Sequence, residues 1–286
     1  MQGSIVALIT PMHEDGSIDY ENFEKLIDWH SENKTDGLVV LGTTGESPTI
    51  EACERRELIR CAVARARHKM PVIVGTGSNS TQQTIAQTQE AMSLGADAVL
   101  LVTPYYNKPT QEGLYQHYKI IAKTVSIPQI LYNVPSRTCC DLLPETIARL
   151  TAFPNIIAVK EATGDLNRLK KLLSMQLPID YFTGSDDNNM EFILMGGRGS
   201  ISVLANVVPQ LMQQLCALAL AGNREAASKI SAQLADLCGA LFIETNPIPT
   251  KWILEKMSLI RAGIRLPLTS LSPQHHSHLE KLIRQF

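Results

Sequence analysis

A single lysine closes an apolar run, and its position suits nucleophilic chemistry. Residues 156–160 read Ile-Ile-Ala-Val-Lys, and the next five residues have the character of a strand exit and a helix entry. Strands buried on both faces read as continuous apolar runs, and parallel α/β folds gather their chemistry where such strands end. Burial disfavours an ammonium ion, so a lysine held there offers a free amine that attacks a ketone to form an imine. Lys160 is therefore the candidate nucleophile, unless it simply reaches into solvent.

Hydroxyls and backbone N–H groups that suit a carboxylate follow the second predicted strand. Residues 42–47 read Gly-Thr-Thr-Gly-Glu-Ser. The glycines let the backbone approach a ligand, and exposed N–H groups in such a loop can cradle an anion. Thr44 is the candidate carboxylate contact, and the Thr43 hydroxyl can both donate and accept a proton. The alternative is a tight turn whose threonine and serine cap the next helix.

Phenols, a guanidinium and a glycine follow other predicted strands. Tyr132 ends the fifth strand one unit before Lys160, and Tyr106 lies in a rigid loop after the fourth; both phenols are candidates for proton transfer. Arg137 has the fork that binds a second carboxylate through two hydrogen bonds. Gly184 ends the seventh strand as a candidate substrate contact. The alternative for the two tyrosines is a role in packing. Arg137 could instead be a surface charge, and Gly184 could belong to a turn that caps a helix.

Repeated strand and helix patterns indicate how these residues are brought together. Short runs of Val, Ile and Leu alternate with amphipathic helical stretches in eight units, which predicts a closed (β/α)8 barrel. The boundaries are 1–223 for the barrel and 224–286 for a carboxyl-terminal helical domain. A doubly wound open sheet is the alternative. The strands are predicted at 5–9, 37–41, 72–75, 98–102, 129–132, 156–160, 181–183 and 200–203.

Composition narrows the classes of function. Apolar residues make up 44% of the chain, and the formal net charge is −2 without a basic face, so we expect a soluble protein that binds neither membrane nor nucleic acid. The amino terminus carries no export signal, which predicts a cytoplasmic protein. The six cysteines form no CxxC pair, and the histidines at 275–278 lack companion ligands, so we expect no metal site.

Six motifs in order resemble the dihydrodipicolinate synthase family of pyruvate-dependent class I aldolases, over nearly the whole length. They are GTTGES at 42–47, TPYYN at 103–107, QEGLYQHY at 111–118, QILYNVPSRT at 129–138, KEATG at 160–164 and NPIPTKW at 246–252.

The resemblance implies a role for each candidate. Lys160 forms the imine, Tyr132 donates and accepts protons, and Thr43 and Tyr106 relay them. Thr44 and the backbone near Ile201 contact pyruvate, while Arg137 clamps the second substrate. In the family the tyrosine equivalent to Tyr106 reaches into the neighbouring active site of a dimer, and such dimers pair into a homotetramer.

The reaction that the resemblance implies needs no cofactor and no metal. Pyruvate condenses with L-aspartate 4-semialdehyde to give 4-hydroxy-tetrahydrodipicolinate for diaminopimelate and lysine biosynthesis. One alternative is a sister enzyme, such as N-acetylneuraminate lyase or a 2-keto-3-deoxy sugar acid aldolase, but Arg137 and the Thr43-Thr44 pair favour the synthase. The other is a catalytically silent barrel that binds a keto acid.

Two departures from the family pattern stand close to its sites. Cys139 replaces the usual glycine after the SRT element. In members inhibited by lysine, the regulatory site resembles Ser47, Asn79 and Tyr105 here, but two histidines and a glutamate are replaced by Ala52, Arg55 and Gln83. The resemblance therefore predicts weak inhibition by lysine, unless Glu54 or another carboxylate takes over.

Overall fold

Eight parallel strands close into a barrel in the computed structural model, which describes residues 1–286. Each strand pairs with the next in sequence, and β8 pairs with β1. The strands are β1 Gly3–Ala7, β2 Gly37–Val40, β3 Val72–Gly75, β4 Ala98–Val102, β5 Gln129–Asn133, β6 Ile156–Glu161, β7 Asp180–Thr183 and β8 Gly199–Ser202. The closed barrel confirms the predicted fold class and excludes the open sheet.

Helices follow the strands along the chain. They are α1 Tyr20–Glu32, α2 Ala52–Ala66, α3 Thr81–Ser93, α4 Gln111–Thr124, α5 Pro135–Thr138, α6 Pro144–Leu150, α7 Leu166–Ser174, α8 Asn189–Leu194, α9 Pro209–Leu220, α10 Arg224–Ala240, α11 Ile248–Lys256 and α12 His276–Ile283. The short helix α5 was not predicted, because Pro135 opens it and it lasts for four residues only.

Side chains from the strands form two separate apolar clusters. The barrel interior holds 12 buried residues, among them Ala158, Tyr132 and Phe182, whereas 65 others pack between the strands and the surrounding helices. Because successive side chains of a strand point to opposite faces, Lys160 shares the inward face with Ala158. The strand period therefore directs the lysine into the barrel.

The first predicted strand extends too far. Leu8 and Ile9 are 1% and 0% exposed, but they lie beyond the end of β1. The Ile9 N–H donates to Asn206 Oδ1 at 3.1 Å instead of to a neighbouring strand. The Leu8 N–H still donates to the Val39 carbonyl at 2.9 Å, so the ladder of hydrogen bonds ends at Leu8, whereas the burial continues to Ile9.

The segment after Asn223 supplies α10, α11 and α12, and these helices pack against the barrel. Leu234, Trp252 and Leu279 belong to the same large apolar cluster as the helices of the barrel. The boundary at 223/224 between two domains stays a prediction. None of the helices is both long enough and apolar enough to span a bilayer.

A buried ion pair joins the carboxyl-terminal segment to the loop after β2. Lys251 Nζ lies 2.5 Å from Glu46 Oε1, and the two side chains are 5% and 1% exposed. Burial lowers the pKa of Lys251, and the adjacent Glu46 carboxylate opposes that shift. Arg265 donates its backbone N–H to Glu46 and its guanidinium to Glu54. Two residues of the carboxyl-terminal segment therefore form one network with Glu46 of this loop and Glu54 of α2.

Candidate active site

Lys160 and Tyr132 lie side by side at the carboxyl ends of β6 and β5. Their Cα atoms are register partners, and Lys160 Nζ lies 4.4 Å from the centroid of the Tyr132 ring. An irregularity in the pairing between Gln129 and Ile130 sets this register. Lys160 is 6% exposed and Tyr132 is 7% exposed. The candidate nucleophile and the candidate proton donor therefore share one buried corner.

A cavity of about 600 Å³ opens above this corner. Its lining includes most of the predicted site residues, namely Thr43, Thr44, Tyr132, Arg137, Lys160 and Gly184. Leu234 and Cys238 of α10 also line it, as does Phe242, which follows the end of that helix. The volume lies in the range of small-molecule sites. Six sequence-predicted residues from the ends of four strands, β2, β5, β6 and β7, thus line one space.

The loop from Gly42 to Ser47 offers fewer N–H groups than the sequence suggested. The N–H groups of Gly45, Glu46 and Ser47 donate to carbonyls within the loop. The backbone N–H groups of Thr43 and Thr44 donate to no protein acceptor. The donors that remain for an anion are therefore these two N–H groups and the hydroxyls of the same threonines.

Arg137 lies at the rim of the cavity, on the one-turn helix α5. Its Nη2 donates to the backbone carbonyl of Asn246 at 3.4 Å, and its other N–H groups have no protein partner. Cys139, which ends this helix, has a φ of +53°, in the left-handed region that glycine favours. A side chain there costs roughly 1–2 kcal/mol. The Thr138 hydroxyl, which donates to the Cys140 carbonyl at 3.0 Å, helps to hold this turn.

Gly184 leaves the space that the lysine side chain occupies. A Cβ atom at this position would lie 2.6 Å from Lys160 Cε, which is closer than real Cβ contacts allow. Asp186, two residues on, accepts the N–H groups of Val203 and Leu204 at 2.9 and 2.8 Å. The turn after β7 therefore gives room to the lysine and anchors the chain after β8.

Two predicted residues lie away from the cavity lining. Tyr106 is 88% exposed and has a φ of +75°, so its phenol points away from the chain's own core. Ile201 is fully buried in the barrel interior, where its side chain packs with the inner cluster. Neither side chain touches the space above Lys160 in a single chain. Their predicted roles stay predictions.

Asn246 is the site residue for which sequence reasoning gave no role. Its motif was noted only for the family resemblance, although the residue lines the cavity and is 4% exposed. Its Nδ2 donates to Thr44 Oγ1 at 3.0 Å. Nothing local in the sequence signals this contact, because the two residues are 202 positions apart.

Two of the predicted regulatory residues, Ser47 and Tyr105, lie near a buried arginine. Arg55, on α2, is 6% exposed and donates to Ser47 Oγ at 3.0 Å and to the Gly75 carbonyl at 2.7 Å. Burial lowers the pKa of Arg55, and the nearby Tyr105 is among the groups that oppose this shift. Asn79 accepts the Asn107 side-chain amide at its backbone carbonyl, at 2.9 Å. The positively charged Arg55 guanidinium is therefore hydrogen-bonded to Ser47, one of the predicted lysine contacts.

Glu54 is already engaged by other groups. Its two oxygens accept the Arg265 guanidinium at 2.7 and 2.6 Å, and Oε2 also accepts the Glu51 N–H at 2.9 Å. The hydrogen bond from Arg265 holds the pKa of Glu54 below its usual value. Glu54 therefore has little capacity to replace a missing acidic contact in a lysine site.

One of the histidines near the carboxyl terminus, His276, packs against an aromatic ring. His276 stacks on Trp252 with ring centroids 4.8 Å apart, and its Nε2 lies 3.1 Å from the Leu271 carbonyl. No group of three or more His, Cys, Asp or Glu side chains is arranged to hold a metal ion.

Comparisons with known proteins agree with this geometry. The sequence model of the dihydrodipicolinate synthetase family matches residues 1–286. The 4-hydroxy-tetrahydrodipicolinate synthase of Coxiella burnetii is 56% identical over 283 residues, which cover 99% of this chain and 97% of that protein. The enzyme of the same name from Pseudomonas aeruginosa is 53% identical over 285 residues, with the same coverage of 99% and 97%.

A solved structure extends the similarity to three dimensions. The chloride-inhibited dihydrodipicolinate synthase from Acinetobacter baumannii, complexed with pyruvate, superposes with a TM-score of 0.98 at 48% identity. The match covers 99% of this chain and 98% of that one. With the family model matching every residue and the barrel and cavity in place, the chain belongs to the dihydrodipicolinate synthetase family.

Proposed function

We propose that this chain condenses pyruvate with L-aspartate 4-semialdehyde to give 4-hydroxy-tetrahydrodipicolinate. The observation that carries the proposal is the placement of Lys160 Nζ, 4.4 Å from the Tyr132 ring centroid, at the base of a cavity that Thr44 and Arg137 also line. An amine, a phenol and two separate sets of carboxylate donors are what two carboxylate substrates and an imine mechanism need.

The residues act in sequence on the two substrates. The Lys160 amine attacks the pyruvate ketone, and the carbinolamine loses water to form the imine, with Tyr132 moving protons. Loss of a methyl proton gives an enamine, whose carbon attacks the aldehyde of the second substrate. The amine of that substrate then attacks the imine carbon, closes the ring and releases Lys160. The imine itself withdraws the electrons, so the proposal includes no cofactor.

Two sets of hydrogen-bond donors in the cavity lining support the choice of these two substrates. Thr43 and Thr44 have backbone N–H groups without a protein acceptor and line the same cavity as Lys160, which suits the pyruvate carboxylate. Arg137 keeps free guanidinium N–H groups at the rim, which suits the carboxylate of the aldehyde. The named relatives favour this reaction over a sugar acid aldolase. A coupled assay that compares aspartate semialdehyde with N-acetylmannosamine separates the two activities.

Pyruvate with borohydride should inactivate the protein and leave one reduced three-carbon adduct on Lys160. Hydride fixes an imine, whereas it leaves a non-covalent complex unchanged. Peptide mass mapping locates the adduct. The Lys171→Ala variant, which changes an exposed lysine of α7, should still be labelled at Lys160. An unmodified Lys160, or equal labelling of Lys160→Ala, would refute the mechanism and leave a silent keto acid-binding barrel.

Arg137→Ala should raise the KM for the aldehyde substrate about 10–100-fold, with a small effect on the KM for pyruvate. A hydrogen bond to a charged group contributes about 1.5–3 kcal/mol, and each ~1.4 kcal/mol is tenfold in affinity. Steady-state kinetics with each substrate varied in turn measures both constants. Arg149→Ala, which removes an exposed arginine paired with Glu112, is the control. A change confined to pyruvate would assign the second carboxylate elsewhere.

We also infer a homotetramer built from two dimers, in the cytoplasm. The exposed Tyr106 phenol supports the dimer, because it does not line the cavity of its own chain and its family counterpart completes the neighbouring site. Sedimentation of the unmodified protein measures the assembly. Tyr106→Phe should reduce turnover without changing the sedimentation coefficient.

Lysine should inhibit this protein weakly at concentrations that inhibit sensitive relatives. The Arg55 guanidinium, a cation, is hydrogen-bonded to Ser47. Gln83 has a neutral amide where sensitive relatives have a carboxylate for the ammonium group of lysine. Losing the partner of a buried charge costs ~2–5 kcal/mol, which weakens binding more than tenfold. Initial rates across a lysine titration measure the effect.

A variant that restores the sensitive pattern tests the cause. Ala52→His, Arg55→His and Gln83→Glu combined should increase inhibition by lysine relative to the unmodified protein. Strong, saturable inhibition of the unmodified protein at low lysine would contradict the prediction.

A further inference from the structure

We propose that Asn246 is a positioning residue that aims the Thr44 hydroxyl proton at the carboxylate of the keto acid. The inference rests on the proposed function and adds a residue to its pyruvate site. Asn246 belongs to the segment between α10 and α11, outside the strands and their loops that carry the other site residues.

The direction of one hydrogen bond carries the inference. Asn246 Nδ2 donates to Thr44 Oγ1 at 3.0 Å, so the Thr44 oxygen acts as the acceptor. The Thr44 hydroxyl makes no other hydrogen bond to the protein, and its proton therefore remains for a ligand. Thr44 is 2% exposed and lines the cavity, so the ligand that receives this proton is the one bound there.

The hydrogen bond from Asn246 leaves Thr44 with two donors that have no protein acceptor. Its backbone N–H has no protein acceptor, as described above, and its hydroxyl proton joins it. Two donors from one residue suit the two oxygens of a carboxylate. Without the amide of Asn246 the hydroxyl is free to rotate, and binding must then include the cost of fixing it.

The backbone of Asn246 has a separate contact with Arg137, the proposed partner of the second substrate's carboxylate. Its carbonyl accepts Arg137 Nη2 at 3.4 Å, and a side-chain substitution leaves this carbonyl in place. The structure therefore predicts that changes to the side chain affect pyruvate and leave the aldehyde substrate largely unaffected. A general loss of folding would affect both substrates together.

Two substitutions at Asn246 should weaken pyruvate binding by different amounts. Asn246→Ala removes the donor, and we expect the KM for pyruvate to rise about 3–10-fold. Asn246→Asp has the same shape but accepts the Thr44 proton and brings a negative charge near the substrate carboxylate, so its KM should rise further. The KM for the aldehyde should stay close to its original value in Asn246→Ala. Asn155→Ala, which removes a side-chain amide bonded to the Ala122 and Val125 carbonyls, is the control.

A double-mutant cycle tests whether Asn246 acts through Thr44. In a Thr44→Val background, Asn246→Ala should add little to the KM for pyruvate, because the hydroxyl that it orients is gone. Additive effects would overturn the inference, as would equal increases for both substrates or a KM for pyruvate unchanged in Asn246→Ala.

Borohydride trapping separates this inference from the proposed function. The pyruvate concentration that gives half-maximal labelling of Lys160 should rise in Asn246→Ala by the same factor as the KM. If the pyruvate concentration for half-maximal labelling is unchanged in Asn246→Ala, the role of Asn246 is overturned and the proposed function is not. Failure to label the unmodified protein overturns the proposed function and, with it, this inference.

Discussion

Tyr132→Phe should lower turnover about 10²–10⁴-fold while the protein still folds and binds pyruvate. A positioned acid or base contributes a rate factor of this size. The ring fills the barrel interior beside Lys160, whereas its hydroxyl makes no hydrogen bond to another protein group. Removing the hydroxyl therefore leaves the packing unchanged and no buried partner unpaired.

Steady-state turnover and the rate of borohydride labelling measure this effect together. Tyr181→Phe is the matched control, because it deletes a hydroxyl that donates to the Leu172 carbonyl at 3.4 Å on the outer side of the strands. That variant should turn over close to the unmodified protein. Near-normal turnover of Tyr132→Phe would remove Tyr132 from the proton relay.

Lys251→Met should lower the free energy of unfolding by about 3–5 kcal/mol. The variant leaves the Glu46 carboxylate, which is 1% exposed, without its charged partner, and breaking a buried pair in this way has a cost of that order. The loop that carries Thr43 and Thr44 also loses an attachment to α11. Urea titration at neutral pH measures the change in stability.

A surface pair provides the control for this prediction. Lys229 is 75% exposed and pairs with Glu225 on the same helix, so Lys229→Met should change stability by less than about 1 kcal/mol. Combining Glu46→Gln with Lys251→Met removes the unpaired Glu46 carboxylate. The double variant should therefore recover part of the lost free energy of unfolding. A loss below about 1 kcal/mol in Lys251→Met alone would contradict the structural role of the pair.

The barrel and its nucleophile were accessible from the sequence because both depend on local patterns. Apolar runs separated by amphipathic helices repeat eight times, and the lysine that closes the sixth run occupies the carboxyl end of β6. In a parallel barrel those ends converge on one face, so sequence order alone placed Thr44, Tyr132 and Lys160 together. The bounds of β1 were less accurate, since the apolar character of Ile9 reports burial although its N–H donates to Asn206 and not to a neighbouring strand.

Contacts between distant segments were decided only by the tertiary structure. The pairing irregularity after Gln129 sets Tyr132 opposite Lys160, and no residue type announces it. Asn246 reaches Thr44 across 202 positions. Arg55 was predicted only as a departure from the regulatory pattern, and the fold buries its guanidinium against Ser47. Residue types and their spacing determine which groups are available for chemistry, whereas the direction of each hydrogen bond depends on which chain segments meet in the folded protein.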